Sequence, residues 1–193
     1  MTSPTIDTDD SPATTKRQGA AENLRQTVIE AKGHSVASAT VTINRPSDEL
    51  YAFWRDLSNI PTFMENVEAV ETIDDRRSHW QVKAPAGRSV EWNARLTEDI
   101  PNEVLAWTSE PGADVENSGR VVFADAGDRG TVVHATILYD PPAGIVGKIV
   151  AKMFQREPAM QVRRDLRRFK QLMETGEIAT AANTRAAADE ERD

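Results

Sequence analysis

The chain contains no cysteine. That excludes a disulfide framework, a thiolate nucleophile and any metal site built on sulfur. No stretch approaches the roughly 20 consecutive apolar residues that a membrane-spanning helix needs. The opening residues, MTSPTIDTDDSPATTKRQG, contain no apolar core of the kind a secretory signal carries, so a cytoplasmic protein is expected. Histidines number three, His34, His79 and His134, and neither the HExxH pattern nor any other metal-spaced pair occurs among them. No metal site and no cofactor are expected. A glycine-rich phosphate loop is missing too, since GDRG at residues 127–130 is short and sits between two strand-like segments.

Aromatic residues are scarce, at 6 % of 193 residues. Four of the 11 rings (Tyr51, Phe53, Trp54 and Phe63) nevertheless fall within YAFWRDLSNIPTFMENVEAV, residues 51–70. Such a concentration around a broken helix marks either core or the wall of a pocket.

Charge is segregated. The net charge is −8, and residues 36–143 carry 9 basic against 18 acidic side chains, whereas residues 144–174 carry 8 basic against 3 acidic. An acidic body opposes binding to the phosphate backbone, so no nucleic-acid partner is expected. Arg163, Arg164, Arg167, Arg168 and Lys170 lie opposite an apolar stripe in QVRRDLRRFK. They form a solvated helix face or a weak contact to an anionic membrane surface.

The pattern along the chain predicts one ordered domain over residues 36–175. It is flanked by a disordered to weakly helical tail, 1–35, and a disordered tail, 176–193. ASATVTIN alternates as a half-buried strand. In the next segment Ser47 is the expected N-cap, and Leu50, Phe53, Trp54 and Leu57 share one helical face. Pro61 is placed to start a second short helix, PTFMEN. Six further strand-like segments follow, joined by short turns, which predicts an antiparallel sheet. A long helical segment, about 143–174, closes the domain. Its first stripe is Ile145, Ile149 and Met153, its second is Val162, Leu166, Phe169 and Met173, and Pro158 predicts a break near 155–158. Gly176 is placed to follow the helix C-terminus.

Strand, two short helices, six antiparallel strands and a long final helix is an order similar to one known family. VTINRPSDELYAFWRDLSNIPTFMENVEAV, VEWNARLTEDIPNEVLAWTS, GTVVHATILYDPPAGIVGKIVAKMF and DLRRFKQLMETGEI resemble the START-like (SRPBCC) helix-grip superfamily. Within it they resemble the branch of polyketide cyclase/dehydrase and coenzyme-Q-binding START domains. The resemblance covers about residues 36–178. It implies an α+β fold in which a curved seven-stranded antiparallel sheet grips the final helix, with a cavity between them.

On that fold the expected lining is Trp54, Phe63, Met64, Trp80, Trp92, Ala94, Trp107, Phe123, Tyr139, Ile149 and Met153. For any single tryptophan ordinary core is the favoured reading, since tryptophan is highly buried on average. Val90, Trp92, Ala94 and Leu96 alternate onto one face, so Trp92 should point inward. Carboxylates are abundant, but the pattern buries none of them, and no catalytic residue is assigned. Tyr139, Asp140 and Arg95 are the candidate polar lining groups. The function expected from the resemblance is binding or carriage of a small hydrophobic molecule such as a quinone, lipid or polyketide-like aromatic. The alternatives are a polyketide aromatase/cyclase or dehydratase using the same cavity, and an interaction module whose cavity is filled by its own side chains.

Overall fold

The computed structural model describes residues 35–84, 87–140 and 158–178. Strands β1 (Ser35–Ile43), β2 (Val67–Thr72), β3 (Arg77–Ala84), β4 (Arg88–Ile100), β5 (Val104–Ser109), β6 (Glu116–Asp125) and β7 (Thr131–Asp140) form a single sheet in the order β1-β7-β6-β5-β4-β3-β2. Every pairing is antiparallel. After β1 come helix α1 (Ser47–Arg55), a 3-10 turn (Leu57–Asn59) and helix α2 (Ile60–Phe63), and helix α3 (Pro158–Thr175) closes the described chain. The fold is the α+β helix-grip arrangement: a curled antiparallel sheet with the final helix packed against it.

Alternation decides which face is buried. Ala37, Ala39, Val41 and Ile43 of β1 pair with Ile137, Ala135, Val133 and Thr131 of β7 on the inner face. Val162, Leu166 and Phe169 of α3, all buried, pack with the β1 and β7 residues in one core. Two bulges interrupt the register, between Val67 and Ala69 and between Leu96 and Glu98. A bulge bends its strand and re-aims the side chains beyond it. Strict alternation from Trp92 would send Glu98 inward. The bulge instead places Glu98 on the outer face, paired with Arg120, and brings Asp99 round to α1.

The helices differ in detail from the sequence pattern. Ser47 is the first residue of α1 rather than its cap, and no side chain caps that end; the Asp48 carboxylate instead accepts the Glu49 N–H at 2.9 Å. Helix α2 starts one residue earlier than Pro61 and ends at Phe63, because the chain straightens at Met64 to enter β2. Gly176 does follow α3, with φ +77° and its N–H on the Leu172 carbonyl at 2.8 Å. That left-handed position suits glycine. Arg45, just after β1, donates to the Met173 carbonyl at 2.8 Å and to the Glu174 carbonyl at 3.3 Å, so a cation satisfies the negative end of the helix. The tails before residue 35 and after 178, the stripe of Ile145, Ile149 and Met153, and the expected break at 155–158 lie outside the described residues.

Candidate functional site

The rings of the 51–70 segment answer the question their concentration poses. Trp54 and Phe63 are 2 % and 0 % exposed, and both meet Phe169 of α3. The three centroids lie 4.9–5.0 Å from one another. Phe53 tilts against Phe63 and Phe169, and Phe123 of β6 closes the group edge-on to Trp54 at 6.3 Å. Offset and edge-to-face contacts at these distances are the favourable geometries for rings. The 3-10 turn between α1 and α2 lets both helices present rings to α3. Trp54, Phe63 and Phe123 therefore spend their surfaces on one another and on α3, while Met64 is half-buried at the edge of the same core.

A second aromatic group is built differently. Trp80 on β3 and Trp92 on β4 are direct cross-strand partners, and Trp107 on β5 faces Leu96 one strand further. Their indole planes are nearly parallel, 7° between Trp80 and Trp92 and 12° between Trp80 and Trp107, with centroids 6.2 and 6.3 Å apart. The three rings form an offset row along the inner face. Trp80 in the middle is buried, and its indole N–H donates to Ser78 Oγ at 2.9 Å. Trp92 and Trp107 at the two ends are only half-buried. Gly119 of β6 makes room for the Trp107 end: a Cβ there would lie 2.1 Å from Trp107 Cζ2. Ala94, 1 % exposed, fills the space between Ser78 and Ser109 on the same face.

The row has a closed flank and a mixed one. Between Trp54, Leu57, Trp80, Leu105 and Trp107 there is a void of about 10 Å³, room for one water at most. On the Trp92 side, Val82, Val90, Val115 and Tyr139 form a separate small apolar cluster that Trp92 joins to the main core. A depression of about 680 Å³ runs along β5 and β6, but its walls include Arg95, Glu116 and Arg120 beside Trp107 and Tyr139. That charged lining suits an apolar guest less well than the tryptophan row does.

Of the candidate polar lining groups, Tyr139 is buried on the inner face, and Arg95 is exposed but also borders the small void beside Trp80 and Trp107. The Asp140 side chain, Ile149 and Met153 lie outside the described residues.

Two carboxylates correct the expectation that none is buried or paired on the inner face. Asp99 accepts the Tyr51 hydroxyl and, at 2.9 Å, the Arg55 Nε–H. Burial and the Asp99 carboxylate together push the Tyr51 phenol up to about 12. Asp165, within the segment read as a basic face, is 8 % exposed and accepts from Gln161 Nε2 at 2.8 Å. Burial raises its carboxyl to about 7, against the opposing pull of Gln161, Arg168 and the Glu65 backbone N–H. The visible signal for Asp165 was its i+3 offset from Val162, which sets it on the buried stripe. Asp99 had no signal, because its inward turn depends on the bulge.

The two histidines among the described residues, His79 and His134, lie on the outer face. His79 Nδ1 is 2.8 Å from Asn93 Oδ1. His134 sits among Ser38, Thr40 and Thr136, with Nδ1 2.7 Å from Thr40 Oγ1, and burial lowers it to about 4. Among the described residues no cluster of three or more His, Asp or Glu could hold a metal ion, and no helix is long and apolar enough to cross a membrane.

Comparison with known proteins agrees with this architecture. Residues 43–167 match the family model described as polyketide cyclase / dehydrase and lipid transport. An uncharacterized 17.2 kDa protein of Streptomyces lincolnensis is 31% identical over 141 residues, covering 72% of this chain and 90% of that protein. A crystal structure from Deinococcus radiodurans is 44% identical, with a TM-score of 0.61 over 74% of this chain and 100% of that one. The ZhuI aromatase/cyclase from a Streptomyces species shares the fold at 16% identity, with a TM-score of 0.58 over 76% of this chain and 99% of that one. The match of the family model to most of the domain shows that the chain belongs to the polyketide cyclase/dehydrase and lipid transport family, and its fold is the START-like helix-grip fold.

Proposed function

We propose that this protein binds and carries a flat, largely apolar small molecule, a quinone or polyketide-like aromatic, against the tryptophan row. The observation that carries the reading is the contrast within that row. Trp80 is buried and fixed by Ser78, while Trp92 and Trp107 leave ring surface unspent at either end. Parallel indoles offer a planar guest the same offset contact they offer each other. Burial adds about 25 cal/mol per Å² of apolar surface removed from water, enough for micromolar binding after association costs. The family description names polyketide cyclisation, dehydration and lipid transport, and each handles a largely hydrophobic molecule.

Carriage is favoured over catalysis because a hydroxyl beside the row and the inward-turned Asp99 carboxylate are already engaged. Ser78 Oγ accepts from Trp80, and Asp99 is paired with Tyr51 and Arg55. A cyclase would need an acid or base free to reach the guest. The test is titration with a panel of quinones, fatty acids and flat polycyclic aromatics. At least one planar member should bind below about 100 μM, quench tryptophan fluorescence, raise the melting temperature and do so nearly independently of salt. No binding across the panel would end the carrier reading. Turnover of a polyketide mimic without added cofactor would replace it with the enzyme.

A further inference from the structure

Several polar rows on the outer face of the sheet are paired from within. Arg77 holds Asp74 at 2.7 Å, His79 meets Asn93 at 2.8 Å, Arg120 pairs with Glu98, and His134 sits among Ser38, Thr40 and Thr136. One row lacks such pairing. Arg95 on β4, Thr108 on β5 and Ser118 on β6 stand directly opposite one another across three strands. None of their side chains has a hydrogen bond or ion pair with another described residue. Arg95 also has Arg77 as its direct partner on β3, and like charges so placed repel. Asp74, with Glu110 nearby, compensates Arg77, whereas Arg95 has no carboxylate partner among the described residues.

The row lies in the depression of about 680 Å³ along β5 and β6, which Trp107 and Tyr139 border from the inner side. Glu116, on the same outer face two residues along β6 from Ser118, is exposed and likewise unpaired among the described residues. From the usual strand spacing and rise per residue, the backbones of Arg95 and Glu116 are roughly 12 Å apart. The depression therefore has a positive pole, a negative pole and two hydroxyls near the first.

We propose that this outer-face depression binds a small zwitterion, with its carboxylate on Arg95 and the row of hydroxyls and its ammonium on Glu116. The site lies across the sheet from the tryptophan row and does not rest on the carrier reading. A guanidinium takes a carboxylate through two parallel N–H···O bonds, and the Thr108 and Ser118 hydroxyls can donate to the same oxygens. A dianion such as a phosphate monoester would crowd Glu110 and Glu116, and a simple cation would meet Arg95 and Arg120. A molecule with its two charges about 5 Å apart, plus a hydrogen bond of about 3 Å at each end, spans the gap between the poles. That favours an ω-amino acid over an α-amino acid, whose charges lie closer together.

The test uses the full chain with 4-aminobutyrate, butyrate and butylamine, the last two each lacking one pole. In the isotope-labelled protein, 4-aminobutyrate should shift the Arg95 Nε–H and Ser118 amide signals in a saturable way. It should bind at least about ten-fold more tightly than either singly charged molecule, and less tightly as salt rises. Arg95→Gln and Glu116→Gln, both at exposed positions where the fold tolerates change, should each weaken 4-aminobutyrate roughly five- to twenty-fold, the worth of one charge-assisted contact. No saturable shift at about 10 mM 4-aminobutyrate, equal affinity for butyrate or butylamine, or undiminished binding by either variant would overturn the proposal. Each of those outcomes leaves the carrier reading untouched, because that reading is tested by planar ligands on the other face.

Discussion

The ring cluster around Trp54 and the row around Trp80 use the same kind of residue to opposite ends. In the first, three elements (α1, α2 and α3) converge, and every large ring surface is covered by another. In the second, three neighbouring strands place their rings side by side on one surface, where each covers only part of the next. Convergence from several directions makes core; alignment on one sheet face leaves ring surface at the ends of the row. Aromatic content alone therefore does not locate a binding site. What matters is whether the elements that supply the rings converge on one point or lie side by side on one sheet face.

The largest effect that would break this contrast lies in the core. Trp54→Ala should destabilise the fold by about 3–5 kcal/mol in urea unfolding, the usual cost of emptying a fully buried large ring site. A loss below about 1 kcal/mol would show that Trp54 borders open space, as the row does. Next comes Gly119→Ala. In an ordinary strand this change is mild, but here the new methyl meets the Trp107 ring. The ring must swing away, at about 1–3 kcal/mol for a strained contact. Near-UV circular dichroism should change, because the stack with Trp80 is lost, and planar ligands should bind more weakly. An unchanged near-UV spectrum would mean that Trp107 is not held over Gly119.

A smaller effect separates α3 from the outer sheet face through pH. The Asp165 carboxyl is raised to about 7, so the fold favours its protonated form, and that stability is lost as pH rises from about 4 to 7. His134 is lowered to about 4, so the fold favours its neutral form, and that stability is lost as pH falls from 6.5 towards 4. Between pH 4 and 6.5 the two slopes oppose each other. Asp165→Asn mimics the protonated acid. It should stabilise the protein at pH 8 by on the order of 1–3 kcal/mol, have little effect near pH 4, and uncover the acid-side decline due to His134. Thermal melts across this range check it; a destabilising Asp165→Asn at pH 8 would show that the carboxylate is held charged.

Much of this was legible in the residues. Seven strands, their antiparallel order and the inward set Val90, Trp92, Ala94 and Leu96 follow from period-two alternation, and the grip of Val162, Leu166 and Phe169 follows from helical spacing. The bulge after Leu96 was not legible, because a single extra residue leaves no compositional mark. Asp99 and its Tyr51–Arg55 partnership were hidden with it. The parallel packing of Trp80 with both neighbours was also hidden, since strand alternation gives the face of a side chain but not the register between strands. Trp54, Phe63 and Phe123 read as core or as lining, and only the position of Phe169 across from them shows how fully they are covered.

Ligands should meet the row and not the core cluster. The chain has four tryptophans, one in the cluster and three in the row, so four indole N–H signals report on both regions at once. Titration of the isotope-labelled protein with a planar aromatic ligand should shift the signals of Trp92, Trp80 and Trp107 in a saturable way and leave that of Trp54 in place. A saturable shift confined to Trp54, with the three row signals unmoved, would contradict the claim.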